Sequence, residues 1–184
     1  MSLSKLRSLL NKYPVVPSMV AFGVLFPSAN VIQQTCFQKK ALDLREVTRF
    51  SLYGGLFAGP VIHNWVRFMS RMIPRTTLPY VMLKVMIDQL CLGPVLLSAF
   101  LIILTAMEGR TTEEIARQWK EKFLPTFSTA VTVWPVIMAV NYKFVPLKLR
   151  SVYIAVCNFF WIIFLAHQKN RDAPWQSPLF RMLT

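Results

Sequence analysis

The chain has few residues of the kinds that bind metals or form disulfides. It contains 3 cysteines and 2 histidines among 184 residues. Cys36, Cys91 and Cys157 are far apart in sequence and form no C-x-x-C pair, and His63 and His167 have no partner at ligand spacing. These spacings argue against a metal site and favour buried free thiols for the cysteines.

Signatures of catalysis are missing as well. The sequence has no G-x-S-x-G elbow, no Walker lysine loop and no Rossmann glycine pattern. No pattern pairs a nucleophile with a base. We therefore predict that the protein is not an enzyme and that it binds no cofactor.

Acidic residues are scarce, with 8 Asp and Glu against 21 Lys and Arg, and the net charge is +13. In a soluble protein this excess would point to nucleic acid. Here the basic residues stand at the ends of apolar runs, which is typical of side chains that reach lipid headgroups. We expect the lipid bilayer as the partner and no direct binding of nucleic acid.

Hydrophobic residues make up 54% of the chain and charged residues only 16%, whereas soluble domains have roughly 45–50% and 25%. A helix needs about 20 apolar residues to cross a bilayer. Five runs approach that length: Tyr13 to Gln38, Phe50 to Val66, Gln89 to Met107, Phe123 to Tyr142, and Ser151 to Gln168. The second is short and the fifth ends on a histidine, so either is alternatively a tilted, buried or interfacial element.

The composition and the runs together predict an all-α fold, a multi-pass transmembrane helical bundle of four to five spans. Lys and Arg are nearly equal in number on the two sides of a five-span arrangement, so the orientation stays open. We predict that the bundle covers residues 14–168 and that residues 169–184 form a polar C-terminal tail.

Two segments outside the runs have an amphipathic helical pattern. Residues 1–13 are basic, free of acid, and carry leucines at helical spacing, which predicts a short interfacial helix similar to mitochondrial targeting sequences. Thr111 and Glu114 have capping-box spacing, and an apolar stripe follows them at Ile115, Trp119 and Phe123. This second pattern predicts a further helix on the membrane surface.

Polar residues and prolines interrupt the apolar runs. Gly55 and Gly59 form a G-x-x-x-G pattern that permits close helix approach, and His63 lies on the same face. Pro60 is one of four prolines inside the runs. They indicate either broken helices beside a polar cavity or the higher proline content of membrane helices in general.

Asp88 directly precedes the third apolar run, and Lys84 lies one helical turn earlier. One interpretation is an interfacial ion pair between the two. The other is that Asp88 turns inward toward Arg150 or His63 and places a negative charge on a solute path.

We call the polar residues of the runs and their ends the polar seam: Asn30, Gln33, Gln34, His63, Asp88, Gln89, Asn141 and Arg150. The seam either hydrogen-bonds helices to one another or lines a hydrated pathway. Helix packing is assigned to Gly55, Gly59 and Pro60.

The run RFSLYGGLFAGPVIHNWVRFMSRMIP resembles the G-P-x-x-H-x-W signature, followed by a basic segment and a proline, of the Mpv-seventeen family of peroxisomal and mitochondrial inner-membrane proteins. Other pieces follow in family order from about Leu6 to His167: Tyr13-Pro14, Gln33-Gln34, Lys84-x-x-x-Asp88-Gln89 with Pro94, Trp134-Pro135, Asn141 with Val145-Pro146 and Arg150, and Trp161. Each motif is loose, but seven in order are specific.

The chain departs from the family pattern at three positions. Asn30 stands where the family often has Asp, Met138 where it has Gln, and Val66 where it has Tyr. These departures make the chain similar to the Mpv-seventeen-like branch and leave its interior less polar.

The resemblance implies a multi-pass protein of the mitochondrial inner membrane or, alternatively, the peroxisomal membrane. The family is described as pore-forming or linked to reactive-oxygen handling and mitochondrial DNA maintenance, with no catalytic residues. The expected function is a channel or permeability pathway for small solutes. The alternative is a non-conducting structural or assembly protein that binds a membrane partner, and a homo-oligomer is compatible with either.

Overall fold

The computed structural model describes residues 13–39 and 41–170, with side chains through residue 165. The predicted interfacial helix of residues 1–13 and most of the predicted tail of residues 169–184 lie outside the described residues. The described part is helical, and no strand occurs in it. Its α-helices are α1 (Val16–Ile32), α2 (Leu44–Leu52), α3 (Gly59–Met72), α4 (Leu78–Ile87), α5 (Gly93–Met107), α6 (Thr112–Phe144) and α7 (Arg150–Asn170).

Three π-helical turns extend or join these helices: Gln33–Phe37, Tyr53–Ala58 and Asp88–Leu92. The second joins α2 to α3 and the third joins α4 to α5. Pro60 and Pro94 fall in the first turn of the α-helix that follows each turn. A proline there removes no bond that the new helix needs, so each helical rod continues through its proline.

Among the described residues, three helical rods are long and apolar enough to cross a membrane: Val16–Phe37, Leu78–Met107 and Thr112–Phe144. Arg150–Leu165 is a shorter apolar helix. The second run of the sequence lies within the α2–α3 rod. The prediction of an all-helical multi-pass bundle is confirmed. Four to five spans were predicted, and the described residues contain three helices of spanning length and one shorter apolar helix.

The predicted surface helix that begins after Thr111 is not a separate element. The capping box is present, because Glu114 N donates to Thr111 Oγ1 and Thr111 N donates to Glu114 Oε2, each at 3.3 Å. The helix then runs without a break to Phe144. Trp119 Nε1 donates to Ser98 Oγ at 3.0 Å, so the stripe packs on α5 instead of on lipid headgroups.

A glycine face holds α1 against the α2–α3 rod. A Cβ at Gly59 would lie 3.0 Å from the Cα of Met19, and a Cβ at Gly54 would lie 2.5 Å from the carbonyl oxygen of Phe22. Gly55 lies against Gly23. The structure thus places Gly55 and Gly59 in a close helix contact, together with Gly54, which the sequence analysis missed.

The core is built mainly from residues of α1, α3, α4, α6 and α7. Its most deeply buried members are Phe22, Ala29, Val66, Met69, Val81, Tyr142 and Ala155. Many large apolar side chains on the outer faces are exposed instead, among them Leu56, Leu90, Val136 and Phe144. An apolar exterior of this kind is what a bilayer covers.

Candidate functional site

A cavity of about 1030 Å³ lies among the helices, and we call it the vestibule. Its mouth is polar and is lined by Gln33, Gln38, Glu46, Arg49, Glu108, Gln118, Glu121 and Lys122. At the inner end it is lined by Asp88 and Gln89. The distance along the helical rod from Asp88 to Glu108 is about 30 Å at 1.5 Å per residue, comparable to the hydrocarbon thickness of a bilayer.

The middle of the vestibule is apolar. Leu96, Phe100 and Trp134 line it there, together with Trp161 of α7. Phe100 packs edge-on against Tyr53, with ring centroids 5.4 Å apart. A charged group that entered would therefore have to leave its hydration shell between the mouth and Asp88.

Asp88 forms the inner end of the vestibule with two aromatic donors. Its side chain is only 3% exposed. Oδ1 accepts a hydrogen bond from Trp65 Nε1 at 2.6 Å and another from the Tyr142 hydroxyl at 3.1 Å. Oδ2 has no hydrogen-bond partner among the described residues. We call Trp65, Asp88 and Tyr142 the inner seal.

Two buried cations lie behind the inner seal, on the ring of Tyr142. Lys84 Nζ is 5.4 Å from the ring centroid, and the Arg150 guanidinium carbon is 5.5 Å from it. Lys84 Nζ donates to the carbonyl oxygen of Arg75 at 3.0 Å. Among the described residues neither cation forms a salt bridge with Asp88.

Arg150 binds the carbonyl end of α6. Its Nε donates to the Val145 oxygen at 2.9 Å, and Nη2 donates to the Tyr142 oxygen at 3.1 Å. Nη1 reaches Ser70 Oγ of α3 at 2.7 Å. A helix leaves its last carbonyls without partners inside the helix, and an arginine at the start of α7 is close enough to fill them.

The inward interpretation of Asp88 agrees with its burial, but Arg150 and His63, the partners predicted with it, were wrong, because the observed donors are Trp65 and Tyr142. The alternative, an interfacial ion pair with Lys84, does not occur either, since the two side chains form no salt bridge among the described residues. Trp65 lies two residues after His63 and Tyr142 directly follows Asn141, so both donors are neighbours of the polar seam in sequence. The signal that could have identified them is their indole N–H and phenol O–H groups, which need a hydrogen-bond partner when they are buried.

Asn30 and Gln34 connect α1 to α2 and do not line the vestibule. Gln34 Nε2 donates to Asn30 Oδ1 at 2.7 Å, and Asn30 Nδ2 donates to Glu46 Oε1 at 2.8 Å. The backbone N–H of Asp43 donates to Gln34 Oε1 at 2.7 Å. Both side chains are fully buried.

His63 faces α1 and α7 instead of the vestibule. Its Nδ1 is 3.2 Å from Ser18 Oγ, which also makes a short hydrogen bond with Ser151 Oγ. Asn141 is fully buried, and its side-chain oxygen and nitrogen have no hydrogen-bond partner within the described residues. Of the polar seam, Gln33, Asp88 and Gln89 line the vestibule.

The described residues contain no group of three His, Cys, Asp or Glu side chains that could hold a metal ion. The three cysteines are free thiols as predicted, but the prediction that they are buried is wrong for Cys36 and Cys91, which are exposed, and Cys157 is half-buried. The chemistry that the vestibule offers is thus hydrogen bonding at both ends and apolar contact between them.

Comparison with known proteins gives a consistent set of similarities. The model of the Mpv17 / PMP22 family matches residues 105–166. The chain is 32% identical to an "Mpv17-like protein" of Xenopus laevis over 88% of this chain and 79% of that protein. It is 28% identical to "Mitochondrial inner membrane protein Mpv17" of Xenopus laevis, over 90% and 96% of the two chains, and 28% identical to "Peroxisomal membrane protein 2" of Bos taurus, over 90% and 88%. No solved structure is significantly similar.

Proposed function

The chain belongs to the Mpv17 / PMP22 family of membrane proteins, and from this premise we propose that it forms a pathway for small solutes across an organelle membrane. The observation that supports the proposal best is the vestibule, which reaches from a polar mouth to a buried carboxylate over about the thickness of a bilayer core. Membrane-buried ionisable groups are expensive, and they commonly mark solute or proton pathways.

The inner seal is the gate of the proposed pathway. Tyr142 is fully buried and Asp88 is 3% exposed, so the vestibule is closed at that end. Breaking the hydrogen bonds that Asp88 accepts from Trp65 and Tyr142 would release α3 and α6 from the turn between α4 and α5. Solute would then reach the side on which Lys84 and Arg150 lie.

A second candidate is a non-conducting structural or assembly protein. The closed inner seal and the apolar middle of the vestibule favour it, because both oppose the passage of hydrated ions. On this hypothesis the partner would be another membrane protein bound to an outer face of the bundle, and a change inside the vestibule would leave the function of the protein intact.

A plug variant tests the pathway. Ala130 lines the vestibule in the middle of α6, so Ala130→Phe fills it. Val136 lies on the same helix with its side chain 66% exposed, so Val136→Phe adds comparable bulk outside. We expect liposomes with the natural protein or Val136→Phe to release solutes graded from urea to sucrose, and those with Ala130→Phe to retain them. Equal release by both variants, or none by the natural protein, would refute the pathway.

We propose the mitochondrial inner membrane as the location and the peroxisomal membrane as the alternative, since relatives with both locations in their names match the chain. Imaging of a tagged protein against markers of both organelles tests this. If the protein is found in peroxisomes alone, the mitochondrial location is excluded. If it is found in neither organelle, both locations are excluded.

A further inference from the structure

The vestibule is long and narrow. Its volume of about 1030 Å³ stands at the upper end of the range of small-molecule sites, which is roughly 300–1,000 Å³. This volume is spread over a length of about 30 Å between the levels of Asp88 and Glu108. A rod-shaped occupant fits such a space, whereas a compact one would fill only part of it.

Charged residues border the vestibule only at its two ends. Arg49 and Lys122 lie at the mouth together with three glutamates, and Asp88 lies at the inner end. The wall between them is built mainly from Leu, Phe and Trp side chains such as Leu96 and Trp134, with Thr126 and Asn158 as polar members. The part of an occupant that lies between the ends is therefore mainly apolar, since most polar groups there would lose their water without replacement.

The inner end offers one free acceptor. Oδ1 of Asp88 already accepts from Trp65 and Tyr142, but Oδ2 is buried and has no partner within the described part of the chain. A buried acceptor without a donor is costly, and a ligand that supplies the donor removes that cost. Lys84 and Arg150 already place positive charge behind the seal, so a neutral hydroxyl or amide N–H suits the site better than a further cation.

An ordinary acyl chain of the bilayer does not meet this requirement. It would enter with its methyl end first and leave Oδ2 of Asp88 unpaired. We propose that the vestibule binds an amphipathic molecule with an extended apolar body, a neutral hydrogen-bond donor at the end that reaches Asp88, and a polar group at the other end that stays among Arg49, Lys122 and the glutamates of the mouth. This inference rests on the proposed pathway and names the class of its solute.

A matched pair of ligands tests the proposal. The full-length protein in phosphatidylcholine nanodiscs is titrated with 22-hydroxydocosanoate and with docosanoate, which differ only in the terminal hydroxyl and whose extended chains approach the length of the vestibule. We expect the hydroxylated ligand to bind about tenfold more tightly, because it alone brings a donor to Asp88 together with a polar group at the mouth. Equal affinities, tighter binding of docosanoate, or no binding of either ligand would overturn the proposal.

Variants locate the binding. Asp88→Ala removes the acceptor and puts neither a donor nor an acceptor in its place, whereas an asparagine amide N–H could still donate to the hydroxyl oxygen of the ligand. We expect the preference for the hydroxylated ligand to disappear in Asp88→Ala. Ala130→Phe should abolish binding of both ligands, and Val136→Phe should bind as the natural protein does. A preference that survives in both Asp88→Ala and Ala130→Phe would place the binding elsewhere and overturn the proposal.

Two arms of the titration separate the sources of such a molecule. Loading from ligand dissolved in the nanodisc bilayer indicates a membrane lipid, and loading only from the aqueous phase indicates a soluble metabolite; either result supports the binding site. The flux assay distinguishes this inference from the pathway itself. Binding with the expected preference but without flux would refute the pathway alone, whereas flux that Ala130→Phe blocks, without any preference between the ligands, would refute the inference alone.

Discussion

Trp65 and Asp88 are 23 residues apart in the chain, and the indole Nε1 of Trp65 donates a 2.6 Å hydrogen bond to Asp88 Oδ1. Trp65 belongs to α3, and Asp88 opens the π turn between α4 and α5. Tyr142 of α6 donates to the same oxygen. One carboxylate thus holds three helical rods together at the inner end of the vestibule, in a place where water does not compete for its hydrogen bonds.

The first prediction concerns insertion. Three rods long and apolar enough to span a bilayer, with outer faces rich in exposed Leu, Val and Phe, can be covered only by lipid. We expect the protein to stay in the membrane pellet after alkaline carbonate extraction. A peripheral protein of the same organelle serves as the control, and release of both into the supernatant would contradict the bundle.

The glycine face gives the second prediction. Gly59→Leu should lower the free energy of unfolding by roughly 1–3 kcal/mol or more, because its side chain would enter the backbone of α1 at Met19 and Ser18. Leu56 is 65% exposed, so Leu56→Ala should change stability by about 0.5 kcal/mol or less. Melting in detergent measures both, and similar shifts for the two variants would show that the close approach does not matter.

The elements of this fold could be predicted because their causes are local. An uncharged run predicts a span from its length alone, and the capping box of Thr111 and Glu114 is formed by residues three apart. The G-x-x-x-G pattern likewise indicated a packing face. It did not identify Gly54, because only the crossing point of α1 decides which glycine lies nearest to a carbonyl.

The site depended on contacts that helical spacing does not contain. Asp88 and Arg150 have opposite charges, and pairing them was the simplest hypothesis. In the fold Arg150 donates instead to a carbonyl oxygen at the C-terminal end of α6. The hydrogen bonds to Asp88 come from the indole N–H of Trp65 and the hydroxyl of Tyr142. Likewise Asn30, Gln34 and His63 appeared equivalent to Gln33 and Gln89 by sequence, and only the tertiary structure separates residues between helices from residues that line the vestibule.

The third prediction concerns Asn30. Its Nδ2 donates to Glu46 Oε1 at 2.8 Å, so Asn30→Asp would bring two carboxylates together in a buried site and remove the donor. We expect a loss of roughly 1–3 kcal/mol in the free energy of unfolding. The double variant Asn30→Asp with Glu46→Gln supplies a new donor and should recover much of the loss. Failure of the second change to recover stability would contradict this pairing.

The fourth prediction tests the three hydrogen bonds of Arg150. Arg150→Lys keeps the charge, but one ammonium cannot reach Ser70, Tyr142 and Val145 in the geometry of the planar guanidinium. We expect the free energy of unfolding to fall by roughly 2–4 kcal/mol. Lys148 is exposed nearby, and Lys148→Arg should melt as the natural protein does. Equal melting of the Arg150 and Lys148 variants would mean that charge alone matters at the end of α6.

The last prediction separates the charge of Asp88 from its hydrogen bonds. Asp88→Asn removes the charge but retains an oxygen that can accept from Trp65 and Tyr142. Because Asp88 forms no salt bridge with any described residue, its neutralisation leaves no cation without a partner. Stability should therefore change little, by about 1 kcal/mol or less. Asp88→Ala removes both hydrogen bonds and should cost roughly 2–4 kcal/mol.

The ion preference of the pathway should respond differently. Asp88 is the one acidic side chain at the inner end of the vestibule as lined by the described residues, so both variants should reduce the preference for cations over anions in liposomes by a similar factor. Asp88→Asn is the decisive variant, because its melting is expected to stay near that of the natural protein. If its cation preference is unchanged while its melting is also unchanged, the carboxylate is not on the solute path, and the vestibule ends before it reaches the inner seal.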